Sequence, residues 1–230
     1  MDCTRKNEFS GLTVLDLSRY LPGGYATQVL ADMGAEVIKV EDTGRGDFCR
    51  HDEPVMQGES YYFTALARNK KSLSVNLKSR EGKEIFHKLV AKSDIILESF
   101  RPGVTTRLGI DYEQIKAVKP DIIYCSLSGY GQSNPNSLKA LHDINMQAQS
   151  GYLSLNGGKT SPLHLCDLAS GMVAAQAMLA ALYQRSVSGR GNYIDISMFD
   201  SFVWWNSMLD SRYCFYGGSL EAKDLEYPAV

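Results

Sequence analysis

Residues 12–41 read LTVLDLSRYLPGGYATQVLADMGAEVIKVE, and this stretch decides the fold. Leu12-Thr13-Val14-Leu15-Asp16-Leu17 is a short apolar run suited to a buried strand. Residues 18–24 are rich in turn formers and read as a loop. Tyr25–Met33 reads as a helix, with Gly34 placed to cap its C-terminus. Glu36-Val37-Ile38-Lys39-Val40 is a second strand. A strand, a helix and a strand with so short a return form a right-handed parallel crossover.

The same unit recurs downstream. Ser72–Asn76 is strand-like, Ser79 is placed to N-cap a helix running to about Lys92, and Asp94–Glu98 is the next strand. Tyr112–Val118 reads as a short helix ended by Pro120, and Ile122–Ser126 is another β-branched run. After Asp167 a long helix extends to about Gln184, with Gly171 and many alanines allowing close packing. Gly189-Arg190-Gly191-Asn192 turns into a strand over Tyr193–Ser197, and a Trp-, Met- and Phe-rich helix begins near Met198. The fold class expected is α/β, a Rossmann-like doubly wound parallel sheet. Residues 1–10 read as an N-terminal extension, 11–216 as the Rossmann-like domain, and 217–230 as the start of a linker. In such sheets ligands sit beyond the carboxyl ends of the strands. Four loops fall there, at residues 19–24, 41–59, 99–109 and 128–141. The second and fourth exceed ordinary connection lengths, which favours a functional role.

Composition narrows the classes of function. The chain has 230 residues, with 24 basic and 26 acidic side chains and a net charge of −2. That balance gives no general drive toward nucleic acid or an anionic membrane. The cysteines at 3, 49, 125, 166 and 214 are odd in number and scattered, without CxxC or Cys/His spacing, so neither a disulfide framework nor a metal site is expected. No apolar signal segment opens the chain, and no apolar run reads as long enough to span a bilayer. A cytoplasmic setting is expected. Gly129-Tyr130-Gly131 does not complete a dinucleotide fingerprint, so no permanently bound cofactor is expected.

Two short segments carry the chemistry. His142-Asp143-Ile144-Asn145 precedes one expected helix, and Leu165-Cys166-Asp167-Leu168-Ala169-Ser170-Gly171 opens the next. An imidazole and two carboxylates at the starts of two helices could meet at one carbon atom and move its proton. The competing reading of Asp167 is a helix N-cap, and that of His142 is a surface histidine without a role. His51, His87 and His164 show no ligand-like spacing.

These residues resemble the class III CoA-transferase family, which includes formyl-CoA transferase, carnitine CoA-transferase and α-methylacyl-CoA racemase. The resemblance rests on residues 12–41, on Asn69-Lys70-Lys71-Ser72-Leu73, on Glu98-Ser99-Phe100-Arg101-Pro102-Gly103, on Tyr124 through Gln132, and on Gly189-Arg190-Gly191. It runs from about residue 11 to residue 216. It implies a Rossmann-like large domain, a small domain missing from this chain, and a homodimer of interlocked protomers, or else a second subunit that supplies the missing half.

Asp167 falls on the position of the family's catalytic aspartate. In the transferases that carboxylate attacks the acyl-CoA thioester and passes through an aspartyl-CoA thioester; in the racemase it exchanges a proton with the substrate's α-carbon. His142-Asp143-Ile144-Asn145 is similar to the racemase subgroup's motif, where the histidine is the second base and Asp143 orients it. Leu21 stands where formyl-CoA transferase has a supporting glutamine. The expected activity is therefore racemase- or epimerase-like proton transfer on a 2-methylacyl-CoA. CoA transfer between carboxylic acids through Asp167 is the alternative, and an inactive CoA-binding fragment or assembly subunit is the third. The resemblance also implies that Lys70, Lys71, Arg101 and Arg107 pair with the phosphates of coenzyme A and that Phe100 packs on its adenine. Coenzyme A enters only as part of the acyl-CoA substrate. Asp42 stands where the family often has a basic residue, which leaves Arg45 and Arg50 as candidates to compensate.

Overall fold

A computed structural model describes residues 8–218. The expected extension up to residue 7 and the expected linker from residue 219 lie outside the described residues. Phe9 donates its N–H to the Met33 carbonyl at 3.2 Å and packs against the core.

The strands are β1 (Thr13–Leu17), β2 (Glu36–Glu41), β3 (Val55–Met56), β4 (Glu59–Ser60), β5 (Lys70–Ser74), β6 (Ile95–Glu98), β7 (Ile123–Ser128) and β8 (Asn192–Ser197). Six of them form one sheet in the order β5-β2-β1-β6-β7-β8, parallel throughout. This is the doubly wound order of the Rossmann fold, with its switch point between β1 and β6. The central strands β6 and β7 are buried along their whole length, their apolar residues interrupted only by Glu98, Ser126 and Ser128 toward the carboxyl ends. The edge strands β5 and β8 are partly exposed. The short β3–β4 hairpin sits inside the long second loop.

Helices cover both faces. The helix α1 (Tyr20–Asp32) follows β1, α2 (Tyr61–Ala67) follows the hairpin, and α3 (Arg80–Val90) follows β5. The short α4 (Val104–Leu108) and α5 (Tyr112–Val118) lie between β6 and β7. Between β7 and β8 come α6 (Asp143–Gln149), α7 (Tyr152–Leu155) and the long α8 (Leu165–Ser188), and α9 (Met198–Phe215) follows β8. One core gathers Val14, Leu30, Leu97, Ile123 and Met178 between the sheet, α1 and α8. The other gathers Leu15, Phe86, Ile96, Ile115 and Tyr124 on the α3/α5 face.

Local chemistry explains where the helices start. Ser79 and Asp111 cap α3 and α5 by accepting the N–H groups of Gly82 (3.0 Å) and Gln114 (3.2 Å). α1 departs from expectation: it begins at Tyr20, five residues before the predicted start. Pro22 and the two following glycines lie inside its first turns, where a proline removes no intrahelical donor. Gly23 is obligatory there, because a Cβ would stand 2.2 Å from the Ser18 Cβ. Gly171 brings α8 against α1, where its Cβ would stand 2.6 Å from the Pro22 carbonyl.

One further expectation is corrected. By length and composition α8 is apolar enough to cross a membrane. Here it packs against α1, α9 and the sheet, burying Cys166, Ala169, Gly171, Ala174, Ala175, Met178 and Ala181. Cys49, Cys125, Cys166 and Cys214 are free thiols.

Candidate active site

The carboxyl end of β1 rests on a buried ionic network. Asp16 is fully buried; its Oδ1 accepts from the Ser18 N–H and hydroxyl, and its Oδ2 from the Thr27 hydroxyl and the Lys70 ammonium at 3.1 Å. Lys39 lies 2.7 Å from Asp47 Oδ2 and 3.5 Å from Asp16 Oδ1. Burial alone would raise the Asp16 carboxyl, but Lys39 and Lys70 hold it far below the usual range. Glu41 is treated likewise: burial opposes its charge, yet Arg50, the Ser72 hydroxyl and the Asp47 N–H bring it down to about 2. This network anchors the long second loop against the start of α1.

It also relocates two expected phosphate ligands. Lys70 is buried, with its ammonium bonded to Asp16, the Gly24 carbonyl at 2.7 Å and the Thr27 hydroxyl at 2.7 Å. Lys71 is exposed but pairs with Glu36, the first residue of β2, at the amino end of the strand and away from the ligand edge. Arg50 forms a two-point pair with Glu41 and covers the Phe63 ring, so it is not free to replace the missing base at position 42. The other expected ligands do follow the carboxyl end of β6. Phe100 is half-buried, and Arg101 and Arg107 are exposed.

Sequence reasoning missed Arg19 beside them. It occupies the N-cap of α1, its guanidinium 4.8 Å from the Phe48 ring centre and 5.7 Å from that of Phe100. The Arg19 N–H donates to the Ser99 hydroxyl at 2.9 Å, which ties the β1 and β6 loops together at the switch point. The Arg19 side chain does not cap α1; the Asp47 carboxylate reaches the helix start instead, its Oδ1 accepting the Tyr20 N–H at 3.4 Å. The signal was available: Arg19 opens the first of the four loops at the ligand edge.

The two motif segments meet at the start of α8. Asp143 is the first residue of α6, and it is buried. Its Oδ1 accepts the N–H groups of Cys166 (2.7 Å) and Asp167 (3.3 Å), and its Oδ2 accepts the Gln147 amide. Asp143 thus caps α8 from outside, in the role that a helix's own N-cap residue usually plays. Asp167 lies in the first turn of α8 and is not its N-cap, which removes the competing reading. Its half-buried carboxylate accepts no hydrogen bond from the described residues. Burial, reinforced by the neighbouring Asp143 charge, pushes it up to about 7.

His142 is placed otherwise than expected. It is exposed at the N-cap of α6, and Asp143, both oxygens committed to Cys166, Asp167 and Gln147, does not orient its imidazole. The histidine beside the carboxylates is His164, which spacing gave no reason to select. Ligand atoms of Asp143, His164 and Asp167 lie within 4.8 Å of one another. That trio is poorly suited to a cation, because both Asp143 oxygens already accept N–H groups. Tyr62 at the start of α2 closes the site, its ring edge-on to His164 at 6.2 Å; burial and the Asp167 charge push its hydroxyl up.

The arrangement is a carboxylate that accepts no hydrogen bond from the described residues, raised to about 7, at the start of a helix that packs against α1. Such a group serves as a nucleophile or as a proton carrier. Residues 9–224 match CoA-transferase family III. The chain is 39% identical over 228 residues to the succinyl-CoA:glutarate CoA-transferase of Mus musculus, covering 96% of this chain and 52% of that protein. It is 39% identical over 201 residues to the acetyl-CoA:oxalate CoA-transferase of Acetobacter aceti, covering 85% of this chain and 52% of that protein. A crystal structure of a CAIB/BAIF family protein from Brucella suis superposes with a TM-score of 0.88 at 33% identity, covering 93% of this chain and 59% of that one. The chain spans about half the length of the curated relatives it matches. It belongs to CoA-transferase family III.

Proposed function

We propose that this chain serves CoA transfer between carboxylic acids, with Asp167 as the nucleophile. The observation that carries this reading is the Asp167 carboxylate itself, which accepts no hydrogen bond from the described residues at the start of α8 while Asp143 occupies the nearby helix amides. The relatives' names point the same way, each a CoA-transferase acting between acids such as succinate, glutarate, acetate and oxalate. Ionised Asp167 attacks the thioester carbonyl and releases CoA as thiolate, leaving a mixed anhydride. The thiolate then attacks the aspartyl carbonyl and frees the donor acid, giving an aspartyl-CoA thioester. The acceptor carboxylate repeats the two steps in reverse order, so that acyl-CoA is rebuilt on the acceptor and Asp167 is regenerated. Arg19, Arg101 and Arg107, with Phe100, hold the nucleotide end of coenzyme A. A homodimer, or a complex with a second subunit, belongs to this reading.

Racemisation through His142 is the second reading, supported by the His142-Asp143-Ile144-Asn145 motif. The exposed imidazole, which Asp143 does not orient, argues against it. One experiment separates the two. The chain is incubated in deuterated water with succinyl-CoA and glutarate or oxalate, and in parallel with a chiral 2-methylacyl-CoA. Transfer predicts CoA on the acceptor acid and no deuterium at the α-carbon. α-Deuteration with inversion, and no acceptor-CoA, would overturn it.

A further inference from the structure

Gln147 is 1% exposed and lies one turn after Asp143 on α6, so the two side chains meet on one face of the helix. Its amide N–H donates to Asp143 Oδ2, and its amide oxygen accepts the Ser161 N–H at 3.0 Å. The amide has only this orientation open to it, because an ionised carboxylate has no proton to give and a backbone N–H cannot accept. Asp143 therefore receives three N–H groups, from Cys166, Asp167 and Gln147, whereas Asp167 receives none from the described residues.

Two carboxylates in one half-buried site do not ionise together easily, and donors favour the charge on the group they reach. We propose that Gln147 is a positioning residue for Asp167: its amide holds Asp143 in the ionised, helix-capping state and so leaves the proton of the pair on Asp167. The same amide ties down residue 161, and with it the segment that carries His164 into the site. The other groups facing the pair are His164 itself, the Tyr62 hydroxyl from α2 and the Cys166 thiol, which lies 3.6 Å from the Asp143 carbonyl. Burial pushes both that thiol and that hydroxyl up, so neither supplies charge near neutral pH.

The consequence for catalysis rests on Asp167 being the nucleophile; the test does not. In the chain labelled with ¹³C at its aspartate carboxyls, Asp143→Asn and Asp167→Asn identify the two signals. In the unsubstituted chain the Asp167 carbon is expected to titrate near pH 7. Gln147→Met keeps the length and removes the donor. It is expected to lower the Asp167 midpoint by one pH unit or more. Two results would overturn the proposal: an Asp167 carbon without a step near pH 7 in the unsubstituted chain, which needs no variant to fold, or an unmoved Asp167 midpoint in a folded Gln147→Met chain. Absence of an aspartyl-CoA adduct, by contrast, would count against the nucleophile and leave the titration standing.

Discussion

Asp143 Oδ1 accepts the backbone N–H of Asp167 at 3.3 Å, so the carboxylate that caps α8 is also the charge that burdens Asp167. The cap stabilises the helix, while burial, with the Asp143 charge added to it, keeps the Asp167 side chain protonated to unusually high pH.

The first prediction follows from that burden. A carboxyl raised in the folded state binds its proton more tightly folded than unfolded, so stability falls as pH rises between the unfolded value near 4 and the folded value near 7. Asp167→Asn removes this loss. Denaturant unfolding should show the variant gaining about 2 kcal/mol over the unsubstituted chain between pH 5 and pH 8. Catalysis by the unsubstituted chain should rise through pH 7 as Asp167 ionises. Glu98, 1% exposed and raised to about 7 by burial, adds a stability loss of the same sign.

The ionic network beneath α1 predicts the opposite behaviour for Lys39. Lys39→Met leaves Asp16 and Asp47 buried with one cation fewer, and breaking such a pair costs about 3–5 kcal/mol. Chemical denaturation near neutral pH measures this directly. A loss under about 1 kcal/mol would mean that Lys70 alone suffices.

Gly171→Ala tests the contact between α1 and α8. The new Cβ meets the Pro22 carbonyl at 2.6 Å, backbone that cannot swing aside. The helices must separate at the turn after Asp167, which should cost about 1–3 kcal/mol in thermal or denaturant unfolding.

Ligand binding sorts the basic residues. Lys71→Ala should leave affinity for coenzyme A unchanged, because Lys71 pairs with Glu36 at the wrong end of the strands. Arg107→Ala and Arg101→Ala should each weaken it about tenfold, the worth of one charge-assisted bond. Calorimetric titration with coenzyme A measures both.

The order of strands and helices was readable because each element carries its own signal. Tyr112–Val118 is bounded by Asp111 and Lys119-Pro120, and the expected limits match the observed helix. The start of α1 was misread because Pro22, Gly23 and Gly24 resemble a turn, whereas the glycines serve close packing against Ser18 and α2. The site was readable in its residues more than in its pairings. Asp143 and Asp167 do meet, but neighbours along a helix point in different directions, so Asp143 follows α8 instead of serving His142. His164 joins them through a tertiary contact between α2, α6 and α8 that no spacing encodes. Lys70 matched a phosphate-binding segment, yet its ammonium is directed at Asp16, a partner 54 residues away.

The most direct test of the account is covalent. The chain is exposed to succinyl-CoA, quenched, and digested, and the peptide bearing Asp167 is weighed with and without hydroxylamine. The account predicts a CoA thioester on Asp167 that hydroxylamine converts to the hydroxamate and that Asp167→Asn abolishes. A chain that passes CoA to an acceptor acid with Asp167 unmodified throughout, or with the same yield in Asp167→Asn, would contradict it.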